Sequence, residues 1–291
     1  MKALVFPGQG SQYVGMGQEL YDSRKDIKDI MEFGNEILGF DILSIMFNGT
    51  EEDLKKTNIT QPAIFIHSIA AVKAVDALGA QMVAGHSLGE FSALVANGAL
   101  SFEDGLKLVA ARAQAMQEAC DAHPSSMAAI LGLDDEKVEE ICAATPGIVV
   151  PANYNCPGQL VISGETEAVE AAMIKMKEAG AKRAIMLPVN GAFHSPLMMP
   201  AQQKLSAAIE ATRFRNPTMP IYQNITTTAV NDPQEIQKNL IAQLTGPVNW
   251  TKTIQHMVAD GAQSFIEVGP GKTLQGLIKK ITAESSVSAA I

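Results

Sequence analysis

Cysteine is scarce in this chain: three residues among 291, at 120, 142 and 156. Three scattered thiols are too few for a disulfide framework, and no CxxC pair suggests a zinc site. Cys120, Cys142 and Cys156 are therefore expected to be reduced and structural, and no metal is expected. Basic residues are also in short supply, with 22 Lys and Arg against 31 Asp and Glu, a formal net charge of −9. That balance argues against non-specific nucleic-acid binding, and an acidic partner would need a local basic patch. Apolar residues nowhere run for the roughly 18 positions that a membrane span requires. The opening MKALVFPGQG has one lysine and a very short apolar run before a turn, which does not fit a signal peptide. A cytoplasmic protein is expected. Internal repeats and low-complexity segments are missing too.

What the chain does have is 47% hydrophobic and 18% charged residues, a globular balance, and enough length for a sizeable core. Short β-type runs alternate with helical patterns, which favours an α/β fold. KALVF (2–6) reads as a buried strand running into a Gly-rich turn, and AQMVAG (80–85) as a second. Residues 61–78 read as a long apolar helix with Pro62 in its first turn. Residues 101–120 read as another, with Ser101 and Asp104 resembling a capping box. The middle then reads strand (126–133), helix (134–144), strand (148–154), strand (158–164), helix (165–180) and strand (181–188). That β-α-β-β-α-β order is the ferredoxin-like unit. A strand at 263–269 and a helix at 272–281 are expected to close the chain. The expected architecture is an α/β core with a parallel sheet, formed by 1–123 and 191–291, with a ferredoxin-like subdomain inserted at 124–190.

Gly85-His86-Ser87-Leu88-Gly89 fits G-x-S-x-G, between a strand-like and a helical stretch. A sharp strand-to-helix turn leaves no room for side chains two positions either way, and it lifts the serine hydroxyl out of the sheet edge. Ser87 is thus a candidate nucleophile, with the N–H of Leu88 placed where an oxyanion could form. The alternative is a plain Gly-rich turn. A serine needs a base, and the histidines are His67, His86, His123, His194 and His256. Sequence neighbours on an elbow point in different directions, so His86 is expected to support the turn. His67, in an apolar helix, is expected to be packed and hydrogen-bonded. His123 borders a domain junction, and His256 reads as a surface residue. His194, in the turn-rich VNGAFHSPLMMP just after the insert, sits where a cleft edge would fall and is preferred to His256.

The loop Gly8-Gln9-Gly10-Ser11-Gln12 follows the first strand, where open α/β sheets place ligands. It lacks the third glycine of a dinucleotide fingerprint, and it is either a second oxyanion donor, through Gln9 N–H, or a turn without chemistry. Gly269–Thr273 ends in GKT, but a P-loop would need glycine at 266, which is isoleucine. Arg112 lies mid-helix among small residues. It is either solvated or turned into a cleft to pair with a carboxylate, and spacing alone leaves both open.

FPGQGSQ (6–12), GHSLGE (85–90), ANYNCPGQ (152–159), NGAFHSPLM (190–198), QLTGPVNW (243–250) and EVGPGK (267–272) together resemble the malonyl-CoA:acyl-carrier-protein transacylases. These are discrete bacterial relatives of the acyltransferase domains of fatty-acid and polyketide synthases. The resemblance implies an α/β-hydrolase-like core carrying a ferredoxin-like insert. It implies Ser87 as acyl acceptor and His194 as its base, a dyad without a carboxylate, the histidine being oriented by the carbonyl of Gln243. It also implies oxyanion donors at the N–H groups of Gln9 and Leu88, Arg112 holding a malonyl carboxylate, Asn155 near the site, and Phe193 as a malonyl-type signature. Two departures are Ala113, where the family often has glycine, and His123-Pro124-Ser125-Ser126 in place of a glycine-rich segment.

The activity so implied is transfer of malonyl from malonyl-CoA to the phosphopantetheine thiol of acyl carrier protein, by a monomer with no cofactor of its own. Lys182, Arg183, Arg213, Arg215, Lys279 and Lys280 are candidates for the basic docking face. Two alternatives stand beside it. A serine esterase or thioesterase on a related core would need an acid partner, and Asp232 with His256 is the one arrangement at hand. A non-catalytic CoA- or carrier-binding protein would form no serine adduct.

Overall fold

The computed structural model describes residues 1–75, 79–189 and 191–291. Its strands are β1 (Lys2–Phe6), β2 (Met82–Gly85), β3 (Ser125–Leu131), β4 (Val149–Cys156), β5 (Gln159–Glu165), β6 (Arg183–Met186), β7 (Ile221–Tyr222), β8 (Ala229–Val230), β9 (Ser264–Glu267) and β10 (Ser286–Ala289). Six of them make one sheet in the order β10-β9-β1-β2-β7-β8, parallel except for the β7–β8 edge pair. The other four make an antiparallel sheet in the order β4-β5-β3-β6. With the helices Asp135–Ala143 and Thr166–Glu178 between its strands, this second unit has the β-α-β-β-α-β order expected of residues 126–188.

The central strands of the parallel sheet are buried on both faces. In β1 the residues Ala3 to Phe6 are all buried, as are all four of β2. This is why KALVF and MVAG read as short continuous apolar runs rather than as alternating ones. On one face of the sheet the helix Gly89–Ala96 packs on β1 and β2, and the helices Thr57–Ala74 and Phe102–Ala122 pack beside it, with Phe65 and Leu106 in the same core cluster. On the other face Trp250, Phe265 and Ile254 form a second cluster. The insert has its own core of Ile130, Ile162, Val169 and Met176. It is joined to the rest of the molecule through backbone, at the segment before the helix Trp250–Ala259: Tyr154 N–H donates to Val248 O at 2.9 Å, and Val248 N–H to Ala152 O at 2.8 Å. No helix among the described residues is long and apolar enough to cross a membrane.

Several details differ from the sequence expectation. The long apolar helix starts at Thr57, not at 61, so Pro62 lies inside it rather than in its first turn. The polar stretch TNIT conceals that start. Thr57, Ile59, Thr60 and Gln61 are buried, and the Thr60 hydroxyl donates to the carbonyls of Leu54 and Lys56. This helix ends at Ala74, and the rest of the expected span, 76–78, lies outside the described residues. The chain closes on β10, not on the helix Thr273–Ile281; a four-residue edge strand with no buried position carries no apolar signal. The capping at Ser101 is one-way, its hydroxyl accepting from Asp104 N–H at 3.0 Å while donating to the Asp104 carboxylate at 2.7 Å.

β1 pairs with β2 so that Phe6 faces Gly85. The loops that follow both strands therefore leave the same sheet edge side by side. The turn after β2 is tight enough that a Cβ on Gly85 would stand 1.9 Å from the Gly89 carbonyl carbon, and one on Gly89 2.1 Å from Phe6 O. Both obstacles are backbone, which cannot step aside as a side-chain tip can. Gly89→Ala is expected to cost about 3 kcal/mol of stability or more, read as the urea unfolding midpoint. A change below about 0.5 kcal/mol, the usual size for an unremarkable surface site, would show that the elbow and β1 can separate cheaply.

Candidate active site

Two positions with left-handed backbone meet at this edge. Among the described residues only Ser87 (φ 53°), His194 (φ 58°) and Thr227 (φ 63°) have positive φ without being glycine. Such conformations cost of order 1–3 kcal/mol and persist where surroundings hold them. Ser87 is held at the turn between β2 and the helix Gly89–Ala96. Its N–H donates to Asn224 Oδ1 at 2.8 Å, and its carbonyl accepts from Gln243 Nε2 at 2.9 Å.

His194 arrives from the segment between the insert and the 3-10 turn Pro196–Met198. Its Nε2 is 2.7 Å from Ser87 Oγ. Its Nδ1 is 3.0 Å from Gln243 O and 3.1 Å from Gly246 O. Both groups at Nδ1 are carbonyls, which can only accept, so the proton sits on Nδ1 and Nε2 is left to accept from the serine hydroxyl. Burial pushes the imidazole pKa down to about 3, and the Arg112 charge pushes in the same direction against the hydrogen bond to Gln243. The ring is therefore neutral at pH 7, with a free lone pair turned to Ser87.

Arg112 is 1% exposed, which resolves the choice its sequence position left open. Its Nη2 donates to Ser87 Oγ at 2.9 Å and to Gln243 Oε1 at 3.4 Å, and its Nη1 donates to Gln61 Oε1 at 2.6 Å. The guanidinium lies 5.8 Å from the Phe91 ring centroid. Burial lowers its pKa to about 10, so it stays charged at neutral pH. No ion pair to it is found among the described residues. The one carboxyl nearby in electrostatic terms, Glu90, is fully buried, and burial raises its pKa to about 8, so it is mostly protonated at pH 7.

Ser87, Leu88, His194, Arg112, Gln9 and Phe193 line one cavity of about 450 Å³. The N–H groups of Gln9 and Leu88 have no acceptor among the described residues. They lie in the loops after β1 and β2, whose ends the sheet register brings together. Asn155 is one step removed: its Oδ1 is 2.8 Å from His86 Nε2, and the His86 ring packs on Trp250 at 5.5 Å between centroids. His86 thus braces the turn through Asn155 and Trp250 and makes no hydrogen bond to Ser87, although it lines the same cavity. Phe193 is buried beside His194. Asn190, which opens the NGAFHSPLM segment, lies outside the described residues.

The remaining histidines are elsewhere. His256 is exposed and bonds through Nδ1 to the Thr227 hydroxyl at 2.9 Å. Asp232 caps the helix Pro233–Ala242 and makes no hydrogen bond to His256. The Asp232–His256 arrangement is thus not assembled. His123 is exposed at the end of its helix. His67 is packed but not hydrogen-bonded through its side chain as expected: its Nδ1 has no partner, and burial lowers its pKa to about 4. It is fixed by apolar contact on an all-buried stretch of helix rather than by a bond. With Gly269–Lys272 it lines a separate, larger cavity of about 760 Å³. Cys120, Cys142 and Cys156 are free thiols, and no cluster able to hold a metal ion occurs among the described residues.

Three groups in contact with the site were not singled out from sequence. Gln61 reads as the polar first residue of a helix. Asn224, in QNITTT, belongs to no motif. The Gln243 side chain adds an amide to the carbonyl that the resemblance implied. For Gln61 a signal existed, a polar residue directly before a long apolar run. For Asn224 none did, because its partners are 137 and 139 positions away.

A family model described as acyl transferase domain matches residues 3–290. The chain is 42% identical over 285 residues to a malonyl CoA-acyl carrier protein transacylase of Staphylococcus aureus, covering 97% of this chain and 92% of that one. Among solved structures, an acyl carrier protein S-malonyltransferase from Vibrio cholerae superposes with a TM-score of 0.95 at 43% identity, covering 99% of this chain and 96% of the other. A malonyl-transacylase in complex with its type II PKS acyl-carrier protein gives 0.94 at 39% identity, over 99% and 94%.

Because burial favours the neutral ring, the His194 imidazole is expected to stay uncharged from pH 8 down past pH 5. Ring-nitrogen NMR of the labelled protein reads this directly. An inflection near 6.5, the ordinary histidine value, would mean that water reaches the ring.

Proposed function

Starting from the fact that the chain belongs to the acyl transferase family, we propose that it moves a malonyl group from malonyl-CoA to the phosphopantetheine thiol of acyl carrier protein, by way of a malonyl ester on Ser87. The observation that carries this reading is the Arg112 contact: a buried guanidinium with no carboxylate paired to it, donating to the same Oγ that faces His194 Nε2. A buried cation without a counter-charge favours a substrate that brings one.

In the first half-reaction His194 Nε2 takes the Ser87 hydroxyl proton as Oγ attacks the thioester carbon. Charge develops on the carbonyl oxygen, and the N–H groups of Gln9 and Leu88 would receive it; one such donor is worth about 3 kcal/mol in comparable sites. The carbon–sulfur bond breaks, and His194 gives its proton to the departing CoA thiolate. In the second half-reaction the carrier thiol yields its proton to His194 and its sulfur attacks the ester. The carbon–Oγ bond breaks, and the proton returns to Ser87. His194 needs to be neutral at the start of each half, and burial keeps it so.

Arg112 and Gln61 would hold the malonyl carboxylate, while Gln243 fixes the imidazole through its carbonyl. Acetyl-CoA offers no carboxylate and would leave the guanidinium unpaired. Asn155 acts through His86, and Phe193 shapes the wall beside the base. Exclusion of water from the cavity would favour thiol over water as the acceptor. The same reading has the enzyme acting as a cytoplasmic monomer without a bound cofactor, since both substrates carry their own pantetheine arm. It also places the catalytic groups on the 1–123 and 191–291 core, with the 124–190 insert as a wall. The esterase alternative loses its support with the Asp232–His256 pair unassembled.

Incubation with malonyl-CoA should add one malonyl group to the intact mass, at Ser87, and acyl carrier protein should discharge it. Ser87→Ala should show no adduct. A protein that released free malonate instead would be a hydrolase. Arg112→Ala should lower malonyl transfer roughly a hundredfold or more, as loss of one member of a buried charge pair does, while acetyl transfer changes less than about tenfold. Equal loss of both would remove Arg112 from substrate selection.

A further inference from the structure

Asn224 sits on the loop after β7, beside the elbow on its β7 flank, and is fully buried. Its side chain reaches the elbow at two points. Oδ1 accepts from Ser87 N–H at 2.8 Å, and Nδ2 donates to Gly85 O at 2.7 Å. The orientation of the amide is fixed by these partners, because a backbone N–H can only donate and a carbonyl can only accept. Asn224 is itself held from two sides. Its N–H donates to the Glu90 carboxyl, and its carbonyl accepts from Asn249 N–H at 3.2 Å and Asn249 Nδ2 at 3.0 Å. Glu90 lies in the first turn of the helix behind Ser87, so the elbow is tied before, at and after the serine by one residue.

The tie falls where the backbone most needs it. Ser87 is in the left-handed region at φ 53°, a conformation that a side-chain-bearing residue does not keep unaided. A neighbouring extended or right-handed conformation would rotate Oγ away from His194 Nε2 and carry Leu88 N–H with it. We infer that Asn224 is a positioning residue for Ser87, a two-point clamp from its amide to Gly85 O and Ser87 N–H that keeps the hydroxyl aligned with His194. It makes no hydrogen bond to His194 or Arg112 and does not line the cavity, and both of its side-chain bonds to the elbow are to backbone atoms.

This inference rests on Ser87 being the nucleophile, and its test separates the two claims by using two acylating agents on the whole protein. A fluorophosphonate probe reports Ser87 reactivity whatever the natural acyl group, and malonyl-CoA reports the proposed substrate. Asn224→Ala is expected to slow both single-turnover acylations about a hundredfold, the effect of a displacement near 1 Å at a reacting centre. Malonyl-CoA binding, measured on Ser87→Ala with and without Asn224→Ala, should change less than about threefold. Asn224→Asp keeps an acceptor for Ser87 N–H but sets an oxygen against Gly85 O, and is expected to be slowed about tenfold. If Asn224→Ala does not fold, the Asp variant decides. Wild-type acylation rates in a folded Asn224→Ala or Asn224→Asp protein overturn the clamp, as does a loss confined to binding. If wild type reacts with fluorophosphonate at Ser87 but not with malonyl-CoA, the proposed substrate fails while the clamp is still decided by the probe.

Discussion

The site is organised by one costly placement, the burial of the Arg112 guanidinium against Ser87 Oγ. Taking an ion out of water costs several kcal/mol even after relaxation, and the residues around it show how that cost is contained. Gln61 and Gln243 supply amide oxygens to the guanidinium, and the Phe91 ring lies beneath it. The same charge, together with burial, holds the His194 pKa low and keeps the imidazole a base. The arginine thus touches Ser87 directly and acts on His194 through its field, and under the proposed function it would meet the substrate's carboxylate.

That arrangement needs a rigid frame, and the frame is backbone. β1 and β2 end side by side, and the turn after β2 is packed against both the helix that follows it and the carbonyl of Phe6. Ser87 and His194 both carry left-handed backbone, and each is held by groups distant in the chain. The Gln243 loop holds both at once, with its carbonyl on His194 and its side-chain amide on the Ser87 carbonyl. Displacement of that loop would disturb nucleophile and base together. The backbone bonds between Val248 and residues 152–154 of the insert tie the same loop to the second sheet, so the insert buttresses the site as well as walling it.

Much of this was legible in the chain itself. The elbow glycines announce a steric requirement that only a tight turn imposes, and the strands of the central sheet are short apolar runs because both faces are covered. The β-α-β-β-α-β order of the insert follows from alternating patterns that need no tertiary information. Contacts between distant segments left no such trace. Arg112 could not be placed from helical spacing, because a run of alanines looks alike whether it faces solvent or a cleft. Asn224 and Gln61 are single polar residues whose partners lie 25 to 139 positions away. The start of the apolar helix at Thr57 was hidden because its first turn is polar yet buried, its needs met by the Thr60 hydroxyl. β10 escaped notice because an exposed edge strand has no hydrophobic period to read.

The chemistry of the supporting groups has a common feature. Nearly everything that orients the dyad is a carbonyl or an amide: Gln243 O and Gly246 O on His194, Asn224 and the Gln243 amide on Ser87, Gln61 on Arg112. The one carboxyl close by, Glu90, is buried deeply enough to be mostly protonated at neutral pH. An ionised carboxylate standing where the Gln243 backbone carbonyl meets Nδ1 would orient the imidazole and stabilise its charged form, as in a serine triad. Here its charge would also act on Arg112, whose field already reaches the imidazole. The arginine would then have an internal counter-charge, and a substrate carboxylate would have to displace it. Orienting the base with neutral dipoles gives up some stabilisation of the imidazolium but leaves the buried positive charge unsatisfied. Under the proposed function, a dyad in place of a triad keeps the buried arginine free of an internal counter-charge, so that a negatively charged acyl group can supply it.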